Sequence, residues 1–428
     1  MRNRIKRYLL NSDYKRLMSN LSYMAFIQIA NYVLPFITLP YIVRTVGVDK
    51  FGIVVFAYTF VAYFKIVIDY GFKMIGAKNI SVHRNDNVEV GRVFFSIISA
   101  QLILLLLSSI VFFITLFSFS KLYEDMYVFL FTYISLFGYI LFPIWFFQGM
   151  EEMKYIAFFN IFSRLIYTIS IFLVVKNPDD YIYIALLDSL SIIAIGLVSF
   201  FYIIKRFKPV FYFPTFNDLK ELYISGWYLF ISNIAVSLYS YSNILLLGII
   251  ADYKVVGVYA LADKIFRAII QILRMYNQVI YPHLAKYQFD KETLIYKTKK
   301  FLKIFVSFLA FCSVMLFILS DFFINLVYGS GNDVSSLVLS ILSISIVSLP
   351  LGGFFTQYLI ISNREKDVAK VTFKTMLLNF VYVVPLIYFY GAIGLAISVV
   401  LISFTQVYLN SRCAHELFSN ESVIRRDK

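Results

Sequence analysis

The sequence predicts an all-α polytopic membrane protein, with twelve transmembrane helices in two six-helix bundles that repeat one another in parallel. Three observations carry this reading. The 428 residues are 60% hydrophobic and 15% charged, with a mean hydropathy of +0.77, whereas soluble domains average about 45–50% apolar and about 25% charged residues. Twelve apolar runs of about 20 residues, the length that crosses hydrocarbon, follow one another along the chain. Of the 39 lysines and arginines, 27 fall in alternate connections between the runs and only 5 in the others. That asymmetry marks the rich side as cytoplasmic, so both termini are expected in the cytoplasm.

Residues 1–17, with Arg2, Arg4, Lys6, Arg7, Lys15 and Arg16 around apolar positions, read either as a basic amphipathic cytoplasmic N-terminus lying on an anionic leaflet or as a disordered tail. The first apolar run is too long for a cleavable signal and is expected to remain as the first span. An N-terminal bundle is predicted over 18–204, from runs at 18–43, 51–75, 92–119, 126–148, 155–175 and 181–204. A cytoplasmic linker over 205–221 carries Lys205, Arg206, Lys208, Pro209 and Pro214. The C-terminal bundle is predicted over 222–411, from runs at 222–250, 257–282, 301–327, 334–361, 371–389 and 391–411, followed by a cytoplasmic tail over 412–428. Sliding the chain so that Gly52 falls on Gly257 also lays Ala57 on Ala262 and matches loop lengths and charge positions. Internal repeats of this kind assemble many transporters, with the site where the repeats meet.

Several function classes are excluded or disfavoured. The net charge of +14 follows from the topology, so nucleic acid is not an expected partner. Cys312 and Cys413 form no framework, and His83, His283 and His415 lack ligand-spaced companions, so no metal, cofactor or catalytic residue is expected. The connections are too short to hold an external domain, which disfavours an enzyme acting on glycans at the outer face.

Ionisable residues inside spans are costly, about 2.5–3.5 kcal/mol each at mid-depth, and mark functional sites by default. Lys65, Asp69 and Lys73 are spaced i, i+4, i+8, which places them on one helical face. Asp263, Arg267, Gln271 and Arg274 share another, while Lys264 turns away. Arg164 and Asp188 lie in further spans. Internal ion pairs such as Lys65–Asp69 and Asp263–Arg267 are one reading. The other is a cationic cavity between the halves, lined by Lys65, Lys73, Arg164, Arg267 and Arg274, which suits a phosphate or pyrophosphate head. Asp69, Asp188 and Asp263 are either pairing partners or carriers of a coupling ion. Tyr239, Tyr241 and Tyr276 are sugar-stacking or packing residues. Pro35, Pro40, Pro143, Pro282, Pro350 and Pro385 are expected to kink spans.

Three motifs carry a family resemblance. Pro35, Pro40-Tyr41, Arg44, Gly47 and Phe51-Gly52 resemble the opening of the polysaccharide transporter branch of the multidrug/oligosaccharidyl-lipid/polysaccharide (MOP) exporter superfamily. The stretch Pro143-Ile-Trp145-Phe-Phe-Gln148-Gly149-Met-Glu151-Glu-Met153-Lys154 is similar to the fourth-span exit of its Wzx-type O-antigen and capsule flippases. Tyr390-Gly391-Ala-Ile-Gly394 resembles the turn into their last span. The resemblance implies a MATE-like two-bundle fold and a bacterial inner-membrane flippase. It would move undecaprenyl-pyrophosphate-linked oligosaccharide repeat units by alternating access coupled to an ion gradient. The implied partners are that polyprenyl-pyrophosphate-linked glycan and the bilayer, with other polysaccharide-assembly membrane proteins as further candidates. The competing reading is a MATE-like small-molecule or drug antiporter on the same fold.

Overall fold

The computed structural model describes residues 12–287, 290–329 and 332–424, with side chains mainly between 34 and 414. Most of the basic N-terminal segment 1–17 and the last residues of the tail lie outside them. Among the described residues the chain forms helices and no strand, and the twelve predicted runs fall mainly on helical residues. The helices are α1 (Ser12–Asp69), α2 (Phe72–His83), α3 (Asn87–Ser118), α4 (Ser120–Glu124), α5 (Met126–Leu141), α6 (Ile144–Gly149), α7 (Met153–Val174) and α8 (Tyr181–Phe207). They continue with α9 (Phe216–Ile250), α10 (Tyr253–Ala285), α11 (Lys291–Ile318), α12 (Ser320–Tyr328), α13 (Asp333–Ile361) and α14 (Glu365–Ile424).

Eight helical stretches among the described residues are long and apolar enough to cross a membrane, and two of these, 34–83 (across α1 and α2) and 365–414, span 50 residues. About 20 residues suffice for one crossing. Within α1 and within α14, consecutive predicted runs meet at a non-helical glycine, Gly47 (φ 80°) in α1 and Gly391 (φ 54°) in α14. Both torsions are ones that glycine adopts without the penalty a Cβ brings. The first and third resemblance motifs are therefore the turns between consecutive spans. Near the second turn, Gly394 has no room for a methyl, because an added Cβ would lie 1.8 Å from the Leu386 carbonyl oxygen.

The chain divides into two compact units, Met1–Tyr241 and Ser242–Lys428. The division falls inside α9, C-terminal to the predicted linker. The reason is local: the first half of α9 is sewn to the first unit. The Tyr223 hydroxyl donates to the Ala100 carbonyl at 2.9 Å, Tyr70 stacks on Phe230 at 4.4 Å, and Arg92 pairs with Asp218 at 2.7 Å.

Within the first unit, Phe56, Phe60, Phe64, Phe112, Phe129 and Tyr133 interlock, mostly edge to face. The outer face of α3 exposes Leu106, Leu107, Ile110, Val111, Ile114 and Phe117. An apolar helix surface with no protein against it suits lipid. The fourth-span motif is a wedge: Trp145, Phe146 and Phe147 are buried, and Trp145 lies flat against Gly76, where any Cβ would come within 2.5 Å of its ring. Phe146 meets Phe94 and Phe207. Gly149 closes the wedge against Ile80.

Within the second unit, α10, α13 and α14 pack through small polar residues, as membrane helices do. Ser335 donates to the Val258 carbonyl (3.1 Å), Ser348 meets Ser403 (2.7 Å), and Asn277 donates to the Pro350 carbonyl (2.8 Å) in the proline-bearing α13.

Candidate functional site: a charged cavity at a helix break

The run predicted over 51–75 is not one helix. It stops at Asp69 and restarts at Phe72, with Tyr70 (φ 45°) and Gly71 (φ 82°) both in left-handed torsions. The single face expected for Lys65, Asp69 and Lys73 is therefore corrected, since the break resets the helical phase before Lys73. Asp69-Tyr70-Gly71 within an apolar run was the available signal. A non-glycine residue in this conformation is strained and persists only where its surroundings fix it. Here α9 does the fixing: a Cβ on Gly71 would meet Leu229 at 2.6 Å, and one on Gly226 would meet the Tyr70 ring at 2.9 Å. Two glycines let α9 press directly on the break.

All three charged residues nevertheless line one cavity of about 720 Å³ within the first unit. Lys65 is exposed although it sits in the middle of an apolar helix, because its surface faces this cavity. Its ammonium lies 4.1 Å from the centroid of the Tyr139 ring, and the Tyr139 hydroxyl donates to Asp69 Oδ1 at 3.2 Å. One tyrosine therefore supports the cation on its face and the anion at its tip. Among the described residues, Lys65 and Asp69 form no direct ion pair, which leaves the Lys65 ammonium turned to the cavity rather than locked to its own helix. Gln148 from the wedge and Asn233, Ser237 and Tyr241 from α9 complete a polar wall. Tyr241 is among the sugar-stacking or packing candidates of the sequence, whereas Gln148, Asn233 and Ser237 gave no signal by spacing. Lys65, Lys73 and Asp69 leave the cavity with one positive charge in excess.

The other candidates are arranged differently. Arg164 on α7 lies 3.8 Å from Asp188 on α8, and Lys65 is within electrostatic reach of both. Tyr58 and Tyr167 also face Asp188. In the second unit, Arg267 Nε pairs with Asp263 Oδ2 at 2.5 Å, with Asp263 buried and Arg267 exposed. Arg274 is exposed one face-repeat further along α10. Tyr276 stacks on Phe305 at 4.1 Å, a packing contact, while Tyr241 lines the cavity. The side chain of Tyr239 lies outside the described residues.

A broken membrane helix that brings Lys65, Asp69 and Lys73 to one cavity within an all-α polytopic scaffold is an arrangement that membrane transporters use. The solved structures agree in fold. The chain superposes on the lipid II flippase MurJ in an inward closed conformation with TM-score 0.70 at 15% identity, covering 91% of this chain and 87% of that one. It superposes on an inward-facing MATE multidrug transporter of the MOP superfamily with TM-score 0.69 at 13% identity, over 94% and 99%. Residues 17–288, well over half the chain, match the model of the polysaccharide biosynthesis protein family, and the chain belongs to that family. Among relatives, it is 26% identical over 392 residues to an Escherichia coli (strain K12) protein named "Putative O-antigen transporter", covering 91% of this chain and 94% of that protein. A Shigella dysenteriae protein of the same name is 26% identical over 385 residues, covering 89% and 94%.

Proposed function

We propose that this protein is a lipid-linked glycan flippase that moves undecaprenyl-pyrophosphate-linked oligosaccharide repeat units, of O-antigen or capsule type, across the bacterial inner membrane by alternating access. The observation that carries the reading is the cavity at the α1–α2 break. Lys65 and Lys73 are held open to it, and the side-chain amides of Gln148 and Asn233 stand beside them. Ammonium groups at membrane depth are compatible with a hydrated or anion-filled space. A diphosphate joined to sugars presents both the charge that the lysines match and the hydroxyls that the amides and Tyr241 can bond. Membership in a polysaccharide family and the O-antigen transporter names of its relatives support the glycan part.

Residues Arg164, Arg267 and Arg274 belong to this reading as additional cations along the route, with Arg164 and Arg267 held in place by carboxylates. Coupling to an ion gradient is part of the same proposal. Asp69 is the first candidate carrier because it lies in the cavity itself, with Asp188 and Asp263 next. Both termini are placed in the cytoplasm on the charge asymmetry of the connections.

The test is deletion in a strain without a redundant transporter, followed by lipid analysis. Undecaprenyl-linked repeat units should accumulate on the cytoplasmic side while surface polysaccharide is lost. Normal surface polymer in the deletion strain would defeat the proposal.

A further inference from the structure

A second cavity, of about 640 Å³, lies where the first turns of α7 meet the last turns of α8, and it shares no residue with the charged one. Its walls are Ala157, Phe158, Phe159, Ile161 and Val198, with Tyr155, Tyr202 and Lys154 at one end. It opens outward, since Phe158 is 59% and Val198 53% exposed. On a membrane-spanning surface such a groove faces hydrocarbon, and its volume falls in the range of ligand clefts, about 300–1,000 Å³.

The polar end has the chemistry of a headgroup contact. The ring centroids of Tyr155 and Tyr202 are 4.7 Å apart, at the helix ends where interfacial tyrosines are enriched. Lys154 stands 4.8 Å from the Tyr155 ring centroid. Arg206, one turn beyond Tyr202, lies within electrostatic reach of its hydroxyl and is exposed. Glu152, 3.2 Å from Lys154, offsets one of these two cations. An apolar trough with two tyrosines and a net positive charge at its rim complements an acyl chain ending in a phosphate.

We infer that the α7–α8 groove is a binding site for a resident anionic glycerophospholipid, with an acyl chain along Phe158, Ile161 and Val198 and its phosphate among Lys154, Tyr155, Tyr202 and Arg206. The site is separate from the cavity assigned to transported substrate. It makes the stability of the first unit depend on the headgroup charge of the surrounding lipid.

The experiment uses the purified full-length protein. Native mass spectrometry and thermal unfolding are recorded with added phosphatidylglycerol or phosphatidylcholine. One phosphatidylglycerol should be retained and should raise the unfolding midpoint, with phosphatidylcholine doing neither. Lys154→Gln with Arg206→Gln should weaken retention about 25-fold, at about fivefold per basic group near anionic lipid. Val198→Trp, which fills the trough while leaving the charges, should abolish retention as well, and the charge variant guards against a folding failure there. Equal retention of both lipids, full retention by the charge variant, or recovery of a polyprenyl pyrophosphate in place of a glycerophospholipid would each overturn the inference.

Discussion

Replacing Gly71 by alanine tests whether the α1–α2 break is built as described. Two penalties add. An L-residue in the left-handed region costs about 1–2 kcal/mol, and Gly71 has φ 82°. The new methyl would also lie 2.6 Å from Leu229 Cβ, the near end of that side chain, so no rotamer change relieves it and the helices must part. Overpacking of this kind costs about 1–3 kcal/mol, giving about 2–5 kcal/mol in all. Gly226→Ala supplies the comparison: its methyl would come within 2.9 Å of the Tyr70 ring and 3.0 Å of the Tyr70 carbonyl oxygen, without a torsional term. It should cost about 1–3 kcal/mol. The assay is thermal unfolding of both purified variants in one detergent, alongside surface-glycan production in cells. Gly71→Ala should melt well below Gly226→Ala and both below wild type. If Gly71→Ala unfolds with the wild type, the left-handed break and the tight α9 contact are wrong.

Three further outcomes follow from the geometry. Tyr139→Phe keeps the ring under Lys65 and removes only the hydrogen bond to Asp69. A bond to a charged group contributes about 1.5–3 kcal/mol, and this one is long, so a loss of about 1–1.5 kcal/mol is expected; Tyr139→Leu, which also removes the cation–π contact, should lose about 0.5–1 kcal/mol more. A thermal-unfolding double-mutant cycle with Asp69→Ala, which removes the acceptor, checks the assignment, because Tyr139→Phe should be nearly silent in the Ala background. Arg267→Gln leaves the buried Asp263 without this partner, and transport by Arg267→Gln/Asp263→Asn separates two roles: recovery in the double variant marks a structural pair, continued loss marks a cation that substrate needs. Asp218, outside the spans, accepts bonds from Thr215, Tyr212 and Arg92, which hold its carboxyl far below the usual range. A depressed folded pKa gives stability that is present above the unfolded value of about 3.9 and lost as pH falls through the folded one. Asp218→Asn should therefore be less stable than wild type at pH 7, by about 1–2 kcal/mol for the weakened bonds, with the gap closing only below about pH 4; a gap unchanged down to pH 2 would refute this.

The all-helical, apolar character of the chain was legible because hydrocarbon thickness sets the length of apolar runs along the whole sequence. The turns at Gly47 and Gly391 were legible as short motifs but not as positive-φ breaks, since a glycine in an apolar run serves close packing equally well. Trp145-Phe-Phe-Gln-Gly stood out as a family marker; its physical meaning, a buried aromatic wedge against Gly76 and Ile80, required knowing which helices meet. The same limit applied to the charges. Asp263 and Arg267 are one turn apart and readable as a pair, whereas Arg164 and Asp188 sit on separate helices. Sequence spacing put Lys65 and Asp69 one turn apart, yet it could not show that both would contact Tyr139 at the edge of one cavity.

The account turns on whether Lys65 and Lys73 receive the charged head of the transported lipid. The direct measurement is binding of a short-chain polyprenyl-pyrophosphate disaccharide to the purified full-length protein, compared with Lys65→Gln, Lys73→Gln and the double variant at matched folding. Removing one partner of a desolvated charge contact costs about 2–5 kcal/mol, so each single change should weaken binding by at least about tenfold and the double change more. Unaltered affinity in the double variant would contradict the account.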